Sequence, residues 1–585
     1  MSKILRVNMS DLTTKFENVP DKYKLLGGRG LTSAITCDEV PPTCHPLGPN
    51  NKVTFAPGIV TGSAAPTAAR LSVGAKSPLT GTIKEANSGG IAADKMARIG
   101  IKAIIVEGQP KEKGKFWVLR VNKDGAELLP AAAEWLGTGL HEAYPKIQKK
   151  FGEKTGVIGI GVAGEMRMAM AGICVNDPEN RPSRYAGRGG LGAVMGSKGL
   201  KAIVVDDAGG SSIPLANKEA FDSGRKKLTD AIKQHDITKP GGALNTYGTA
   251  VCVAVINEAG GLPTRNFREG RFEGASKISG EAINEICKKS QEKGGVGMTG
   301  HRCSPGCIIQ CSNVFPKADG KEELVSCQEY ESLWSLGANC GIDDLYIIGE
   351  LVRMCNDYGL DTIEAGATIG VAMEAGLAKF GDGKKAIELM QEIGKGTPLG
   401  HILGGGTSLT ADTYGVTRCP TVKRQAMPAY EPRAIKGIGI TYATSPMGAD
   451  HTSGYTIAPE IFQIGGKIDQ FIVEKADLTR DFLFTTAFLD ATGHCLFTSF
   501  AILDIPSGLE GMVEECNGVL GTNWTVDDVA RIGGDIVRME WAFNEAAGFT
   551  KVDDRLPEFM NYEKLPPHNV SFDVSDKELD KVRGK

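Results

Sequence analysis

The sequence holds no uninterrupted apolar run of about 20 residues, the length a membrane-spanning helix needs. Its first residues, Met-Ser-Lys-Ile-Leu-Arg-Val-Asn, lack the apolar core of a secretory signal. A cytoplasmic protein without a membrane partner is therefore expected. Neither sign of charge is in large excess: Lys and Arg total 66 and Asp and Glu 70, for a net charge of −4. No basic face for nucleic acid is predicted from that balance. Aromatic residues make up only 6%, and of the 8 histidines only His451 and His494 lie in segments that read as site-forming. The 14 cysteines include no CxxC pair, which argues against a four-cysteine zinc site. Without a secretory signal they also argue against a disulfide framework and for a reducing compartment. No repeat of solenoid period is present.

What the chain does have is a dense cysteine triplet. His301-Arg-Cys303-Ser-Pro-Gly-Cys307-Ile-Ile-Gln-Cys311 spaces three thiols evenly, and Cys495 follows far downstream in Asp490-Ala-Thr-Gly493-His494-Cys495. Three clustered thiolates and a remote fourth form a common ligand set for a cubane iron–sulfur cluster. Pro305 and Gly306 break any helix between the first two sulfurs, so the segment can wrap. The plainer alternative is a set of buried, unliganded cysteines.

At about 100–200 residues per domain, 585 residues predict two to four domains. Up to residue 205 the texture is short apolar runs punctuated by Gly, Pro, Asn and Asp. Strands are predicted near 3–9, 52–56, 70–74, 103–107, 116–121, 155–160, 168–175 and 201–205, with helical pieces near 89–99 and 139–151. A linker over 206–220 leads into helical sequence, with helices near 216–234, 278–289, 343–358, 361–380, 383–394, 468–488 and 525–546. Asp361 with Glu364 three residues later reads as a capping box.

Two loops are suited to anions. One combines Arg70 with Asn87-Ser88-Gly89-Gly90, and the other contains Arg184, Tyr185 and Arg188. Arg offers a bidentate fork, and Gly lets backbone N–H groups approach phosphate oxygens. Solvated arginines on glycine turns are the alternative. Gly187-x-Gly-x-x-Gly192 imitates a dinucleotide fingerprint, but the polar stretch 177–184 predicts no strand running into it, so a Rossmann unit is not expected. The stretches Asn356-Asp-Tyr-Gly359-Leu-Asp361 and Asp490-Ala-Thr-Gly493-His-Cys495 share a polar residue followed by Gly at the fourth position. Such a pair suits two similar amino-heterocyclic ligands, or two ordinary helix-ending glycine turns. Glu329, Glu331 and His451 lie in otherwise apolar surroundings.

Taken together and in order, these features resemble the tungsten-containing aldehyde:ferredoxin oxidoreductase family. The matches include Ala75-Lys-Ser-Pro-Leu-Thr-Gly81, Asn87-Ser-Gly-Gly90, the stretch Ala186–Lys198, Glu329-Tyr-Glu331 and Asn356–Ile363. Pro428–Arg433, Gly448-Ala-Asp-His-Thr452 and Asp490-x-x-Gly-x-Cys495 complete the series. The resemblance covers essentially the whole chain. It implies an α+β fold: an N-terminal double β-sheet saddle (1–209) followed by two mainly helical domains (210–417 and 418–585). It implies a tungsten or molybdenum bis-pyranopterin, a 4Fe–4S cluster and a magnesium ion bridging the pterin phosphates. By position, Cys303, Cys307, Cys311 and Cys495 would hold the cluster. Arg70, Asn87, Ser88 and Gly89 would grip one pterin phosphate, and Arg184, Tyr185 and Arg188 the other. Asn356 and Asp361 would recognise one pterin, and Asp490 and Gly493 the other.

The implied reaction oxidises an aldehyde to its acid with water and sends electrons to ferredoxin or an iron–sulfur partner subunit. Glu331 is the expected base, with Glu329 its alternative, and His451 the expected carbonyl donor. His494 stands where Leu is usual, and its ring is expected to donate to a cluster sulfur. The electron partner is expected near Lys288, Lys289, Lys293 and Arg302. Two other functions stay open. One is the tungsten subunit of an aryl-CoA (benzoyl-CoA type) reductase, in which Cys327 or Cys340 would ligate the metal. The other is a non-catalytic iron–sulfur electron-transfer subunit, which predicts iron without tungsten. Neither the oligomeric state nor membership of a multi-subunit complex is fixed by the sequence.

Overall fold

The computed structural model describes residues 2–584. Two six-stranded sheets come first. One contains β1 (Lys3–Asn8), β2 (Thr13–Asn18), β3 (Val53–Pro57), β4 (Leu71–Lys76), β5 (Ile83–Ser88) and β6 (Ile101–Glu107), in the order β2-β1-β6-β3-β4-β5. The other contains β7 (Trp117–Asn122), β8 (Gly125–Pro130), β9 (Gly156–Gly159), β10 (Ile173–Asn176), β11 (Pro182–Ala186) and β12 (Leu200–Val205), in the order β11-β10-β9-β12-β7-β8. Read from its other edge, the second order repeats the first strand for strand. In each sheet the first and last strands in sequence pair in parallel and the remaining neighbours are antiparallel. The central β6 and β12 carry the unbroken apolar runs Ala103–Val106 and Ala202–Val205, as strands covered on both faces do. One hydrophobic cluster, with Val7, Val53, Leu119 and Ile158 among its members, is shared by the two sheets. The edge strands β5 and β11 touch each other.

Strands β2, β5, β8 and β11 escape the sequence analysis. They are polar edge strands or, like β5 and β11, carry side chains aimed into a cavity, so the alternation rule has little apolar signal to find. The expected strand at 168–175 is confined to Ile173–Asn176. The helix Gly28–Glu39 was also not foreseen, because it opens on Gly-Arg-Gly, a poor helix start. β11 corrects one argument: a strand does run into Gly187. It is an antiparallel edge strand paired with β10, not the parallel strand of a βαβ unit, so the dinucleotide resemblance still fails.

The rest is mainly helical. Lys218–Gln234, Gly280–Glu292, Leu345–Tyr358, Thr362–Glu374, Gly383–Lys395 and Asp527–Ala546 fall where periodicity placed helices, and Ala476–Thr492 starts later than expected. Pro506–Leu520, announced only by a Pro at its first position, packs on Lys218–Gln234 with Gly224, Gly511 and Gly518 at the crossing. The capping box at 361 is half formed. Asp361 caps Ile363 N at 2.9 Å, but Glu364 turns inward to accept from Thr407 N and Ala426 N, both at 2.9 Å. No helix among the described residues is long and apolar enough to cross a membrane.

Candidate active site

Each sheet grips one of the two glycine turns. Gly359 and Gly493 end the helices Leu345–Tyr358 and Ala476–Thr492 in left-handed conformation, with φ of 78° and 94°. Gly58, just after β3, lies so close to the second turn that a Cβ on it would sit 2.1 Å from Gly493 Cα. Gly161, shortly after β9, meets the first turn in the same way, 2.3 Å from Tyr358 O. Backbone bonds complete both grips: Arg70 N to Gly493 O at 3.2 Å, and Gly172 N to Gly359 O at 2.9 Å.

The segment leading to β4 also pins the cysteine loop. Thr67, at φ 56°, donates its N–H to Gly306 O (3.0 Å), accepts at its carbonyl from Cys495 N (2.9 Å) and at its hydroxyl from Ile308 N (3.2 Å). Gly90 N donates to Cys303 O at 3.0 Å. Cys303, Cys311 and Cys495 thus line one buried cavity of about 340 Å³. Cys307 lies behind them, its sulfur accepting from Gln310 N at 3.3 Å. A hydrogen bond from Cys307, with Arg184 and Arg70 nearby, holds the Cys303 thiol well below its ordinary range. The hydrogen bond to Cys303 and burial raise Cys307, while burial raises Cys311 and Cys495. All four sulfurs are free of disulfides.

A second cavity of about 270 Å³ shares Arg70, Tyr185, Cys327, Glu329 and His451 with the first. Arg70, Asn87, Tyr185, Arg188, Asn356, Asp361 and Asp490 face into it, while Arg184 and Gly89 line the cysteine cavity. Arg70 Nε donates to Asn87 Oδ1 at 2.5 Å. Arg184 donates to Ser312 Oγ at 2.9 Å and Cys327 Sγ at 3.4 Å. Arg188 places three of its five N–H donors on protein, at Asp361 Oδ2 (3.2 Å), Ala449 O (2.7 Å) and Ala426 O (2.6 Å). The Tyr185 hydroxyl donates to Asn356 O. Ser88 and Gly493 do not line either cavity; Ser88 Oγ donates to Gly89 O at 3.0 Å and Gly493 forms the turn.

Between the cavities stands a carboxyl–imidazole pair. His451 Nε2 lies 3.3 Å from Glu331 Oε1, and Glu331 Oε2 accepts from Ala429 N at 3.1 Å. Burial pushes Glu331 up to about 8 and His451 down to about 4, so near neutrality both are uncharged. Beside them Lys84 and Asp450 pair at 2.7 Å. Burial opposes ionisation of Asp450, but Lys84 and Arg188 hold it far below the usual carboxylate range. Glu329 also lines both cavities, but its oxygens are engaged, accepting from Thr249 Oγ1 at 2.9 Å and Cys327 Sγ at 2.8 Å.

Some features were missed or misjudged. Arg29 forms a buried bidentate pair with Glu540 (2.9 and 2.8 Å) and reaches Asp490 Oδ2 at 3.3 Å. Its only sequence signal was an Arg within a glycine run. Glu85 joins this group; burial and then Glu85 push Asp490 up to about 8. His494 does not point a ring nitrogen at the sulfurs: Nδ1 is bonded to Thr492 Oγ1 at 2.8 Å and Nε2 lies 2.9 Å from Glu515 Oε2. The Glu515 carboxylate, remote in sequence, takes the ring. Cys340 is sealed against Ser335 O and Gly366 O, whereas Cys327 lines both cavities.

The residues fit the cofactor set. Asn87 Nδ2, Arg184 Nε, Glu85 Oε1, Glu331 Oε1 and His451 Nδ1 are buried polar atoms without a hydrogen-bond partner in the protein. Such atoms are costly unless a ligand satisfies them. Arginine and amide donors, carboxyls, and three cavity-lining thiols with a fourth behind them are compatible with pterin cofactors and an iron–sulfur cluster.

Comparison with known proteins agrees. Residues 4–207 match the family model "Aldehyde ferredoxin oxidoreductase, N-terminal domain", and residues 224–584 match "Aldehyde ferredoxin oxidoreductase, domains 2 & 3". The chain is 35% identical to the tungsten-containing aldehyde ferredoxin oxidoreductase of Pyrococcus furiosus, covering 96% of this chain and 92% of the relative. It is 36% identical, with the same coverage, to that of Thermococcus kodakarensis. An aliphatic sulfonate oxidoreductase, WOR-like subunit, of P. furiosus is 25% identical over 96% of this chain and 89% of its own. In fold the chain is similar to the active site complex BamBC of benzoyl coenzyme A reductase in complex with 1,5 dienoyl-CoA. That likeness has a TM-score of 0.79 at 20% identity, covering 99% and 93% of the two chains.

Proposed function

The chain belongs to the aldehyde ferredoxin oxidoreductase family, and from that premise we propose that it oxidises an aldehyde to the carboxylic acid at the Glu331–His451 pair. The balance is aldehyde plus water giving carboxylate, three protons and two electrons. When bound, a tungsten bis-pyranopterin supplies oxygen transfer and two-electron acceptance, and the cubane supplies one-electron exit. The protein's share is proton handling and orientation. Glu331 takes a proton at Oε1 from water or the hydrated aldehyde, a task suited to a carboxyl poised at about 8. His451, kept neutral by burial, donates one ring N–H to the carbonyl oxygen. Arg70, Asn87 and Gly89 hold one phosphate end and Arg184 the other, and a magnesium ion between the phosphates completes this reading. Arg188 orients Asp361 and keeps two further N–H donors for the phosphate beside Arg184. Asn356, Asp361 and Asp490 accept from the pterin rings.

The 3.3 Å pairing of Glu331 with His451, beside the four cysteines, is the observation that carries the reading. Glu331→Gln is expected to keep its tungsten and iron and to lose at least ~10² in turnover. The native rate should climb with pH through about 8, as Glu331 reaches its base form, and that limb should vanish in the variant. Loss of metal from Glu331→Gln would make the residue structural and end this assignment.

Electrons go to ferredoxin or an iron–sulfur subunit. The tip of the cysteine loop, Pro305–Gly306, opens on an outer cleft of about 540 Å³ bordered by Asp222, Arg225 and Lys226. Lys288, Lys289 and Lys293 do not border that cleft, and Lys289 is paired with Glu285 at 2.6 Å. The helix Lys218–Gln234 is therefore a second docking surface, beside the expected one at Lys288, Lys289, Lys293 and Arg302, of which Arg302 is exposed next to Cys303. For the reductive alternative Cys327 is the one placed thiol, and a protein sulfur on the metal by X-ray absorption would transfer the assignment to it.

A further inference from the structure

We propose that the site takes ring-bearing aldehydes in preference to small or polyhydroxylated ones, on an aromatic wall built for the substituent of the carbonyl. This rests on the aldehyde-oxidising reading above and names the substrate class for it. The cysteine cavity is bordered on the side of His451 by Tyr330, Tyr430, Tyr455 and Phe497. Tyr430 is the hub: its ring lies 5.4 Å from Tyr330, 5.6 Å from Tyr455 and 5.9 Å from the His451 ring. A chain with only 6% aromatic residues thus gathers four of them on one cavity, two of which, Tyr430 and Tyr455, pack on the His451 ring.

The hydroxyls of this wall are largely engaged. Tyr330 donates to Ala429 O at 2.7 Å, and Tyr430 and Tyr455 share one hydrogen bond at 2.6 Å, which leaves a single O–H of that pair free. What the wall chiefly offers a ligand is ring faces and edges, which favour another ring in offset or edge-on contact. A polyol lying on it would lose more hydration than one free O–H can replace. Polar groups line the other sides of the cavity, among them Thr249, Ser332 and Thr452, and the carbonyl belongs with Glu331 and His451.

The same wall continues outward. Tyr455 packs on Phe500 at 6.1 Å and Phe500 on Phe462 at 6.2 Å. Ile461, the neighbour of Phe462, borders a surface cleft of about 1010 Å³ together with Val255 and Phe471, both exposed. The short helix Cys252–Glu258 separates the two spaces: Cys252 faces the inner cavity and Val255, one turn on, the outer cleft. The cleft also carries Glu258, Glu460, Lys467 and Asp469, so it is the packed aromatic rings, and not an open channel, that link the two spaces.

The test uses holoenzyme with a viologen acceptor and compares benzaldehyde, acetaldehyde and glyceraldehyde. The expected kcat/KM favours benzaldehyde by at least about tenfold over both, the scale on which apolar pockets discriminate. Phe497→Ala, with iron content and cluster absorbance measured as controls because Cys495 is near, should raise KM for benzaldehyde about tenfold more than for acetaldehyde. Tyr455→Phe, which keeps the ring, should preserve the preference. Equal native values for the three aldehydes, or a Phe497→Ala effect shared by all, overturns the proposal. Should no aldehyde be oxidised, the functional reading falls, and calorimetric binding of benzoate against acetate to the same holoenzyme decides the wall on its own. Benzoate tighter by about tenfold upholds it, and equal affinities overturn it.

Discussion

The two sheets are topological twins, yet they treat their glycine turns differently. In the first, the helix between the second and third strands, Gly28–Glu39, sends Arg29 into the interior to meet Asp490 and Glu540. In the second, the corresponding helix, Leu140–Phe151, sends His141 to Asp357, where the contact is 3.1 Å and both side chains are partly exposed. The motif positions explain the difference. Asp490 is an ionisable carboxyl that accepts from Arg29 at 3.3 Å, whereas its counterpart Asn356 is a neutral amide that donates to Ser326 O at 3.4 Å. Duplicated topology therefore sets where a ligand sits, and the local charge count sets what each half can bind. The first half has a surplus of carboxyls, Glu85, Asp490 and Glu540, around Arg29. The second is closer to balance.

Removing the central cation should break the contrast most severely. Arg29→Met strands Glu540, which is fully buried, and should cost ~3–5 kcal/mol, the usual penalty for breaking a buried pair. Arg188→Met should cost less, because Asp361 keeps its helix-cap bond to Ile363 N. Denaturant unfolding of both variants measures the difference; equal losses would erase the distinction between the halves.

The next effect is in pH. Asp490 is raised from 3.8 to about 8, so the folded protein holds a proton that the unfolded chain releases. Its contribution is complete below about 4 and is lost as pH rises through about 8. Native Tm should decline across that window, and Asp490→Asn should flatten the decline. A slope unchanged in the variant would place the titration elsewhere.

The smallest effect sharpens the second half. Tyr185→Phe removes only the hydroxyl that bonds Asn356 O and should cost ~0.5–1.5 kcal/mol without altering metal content. A larger loss would show that the second turn relies on this one contact more than the first turn relies on any single bond.

Much of this site was legible in the sequence because its residues fall in short runs with constrained chemistry. Cysteine spacing, the two glycine turns, the Arg-rich loops and Glu331 with His451 all lie near one another in space as the motifs implied. The helical half was legible from periodicity. What was not legible shares a cause: it depends on partners distant in the chain. Arg29 acquires meaning only from Glu540, the His494 ring is claimed by Glu515, and the aromatic wall draws on residues from 330 to 497. Edge strands β5 and β11 were missed because their residues serve a cavity rather than a core, and so break the alternation that betrays a strand.

Thr67 has a consequence for how disturbance spreads in the protein. Its amide, carbonyl and hydroxyl are each committed to a cysteine-bearing segment, two to the loop at 306–308 and one to Cys495. One residue thus ties two stretches that lie far apart in the chain to the approach to β4. A shift of its backbone reaches both cysteine segments together, so their spacing is set from the β domain and not by either segment alone.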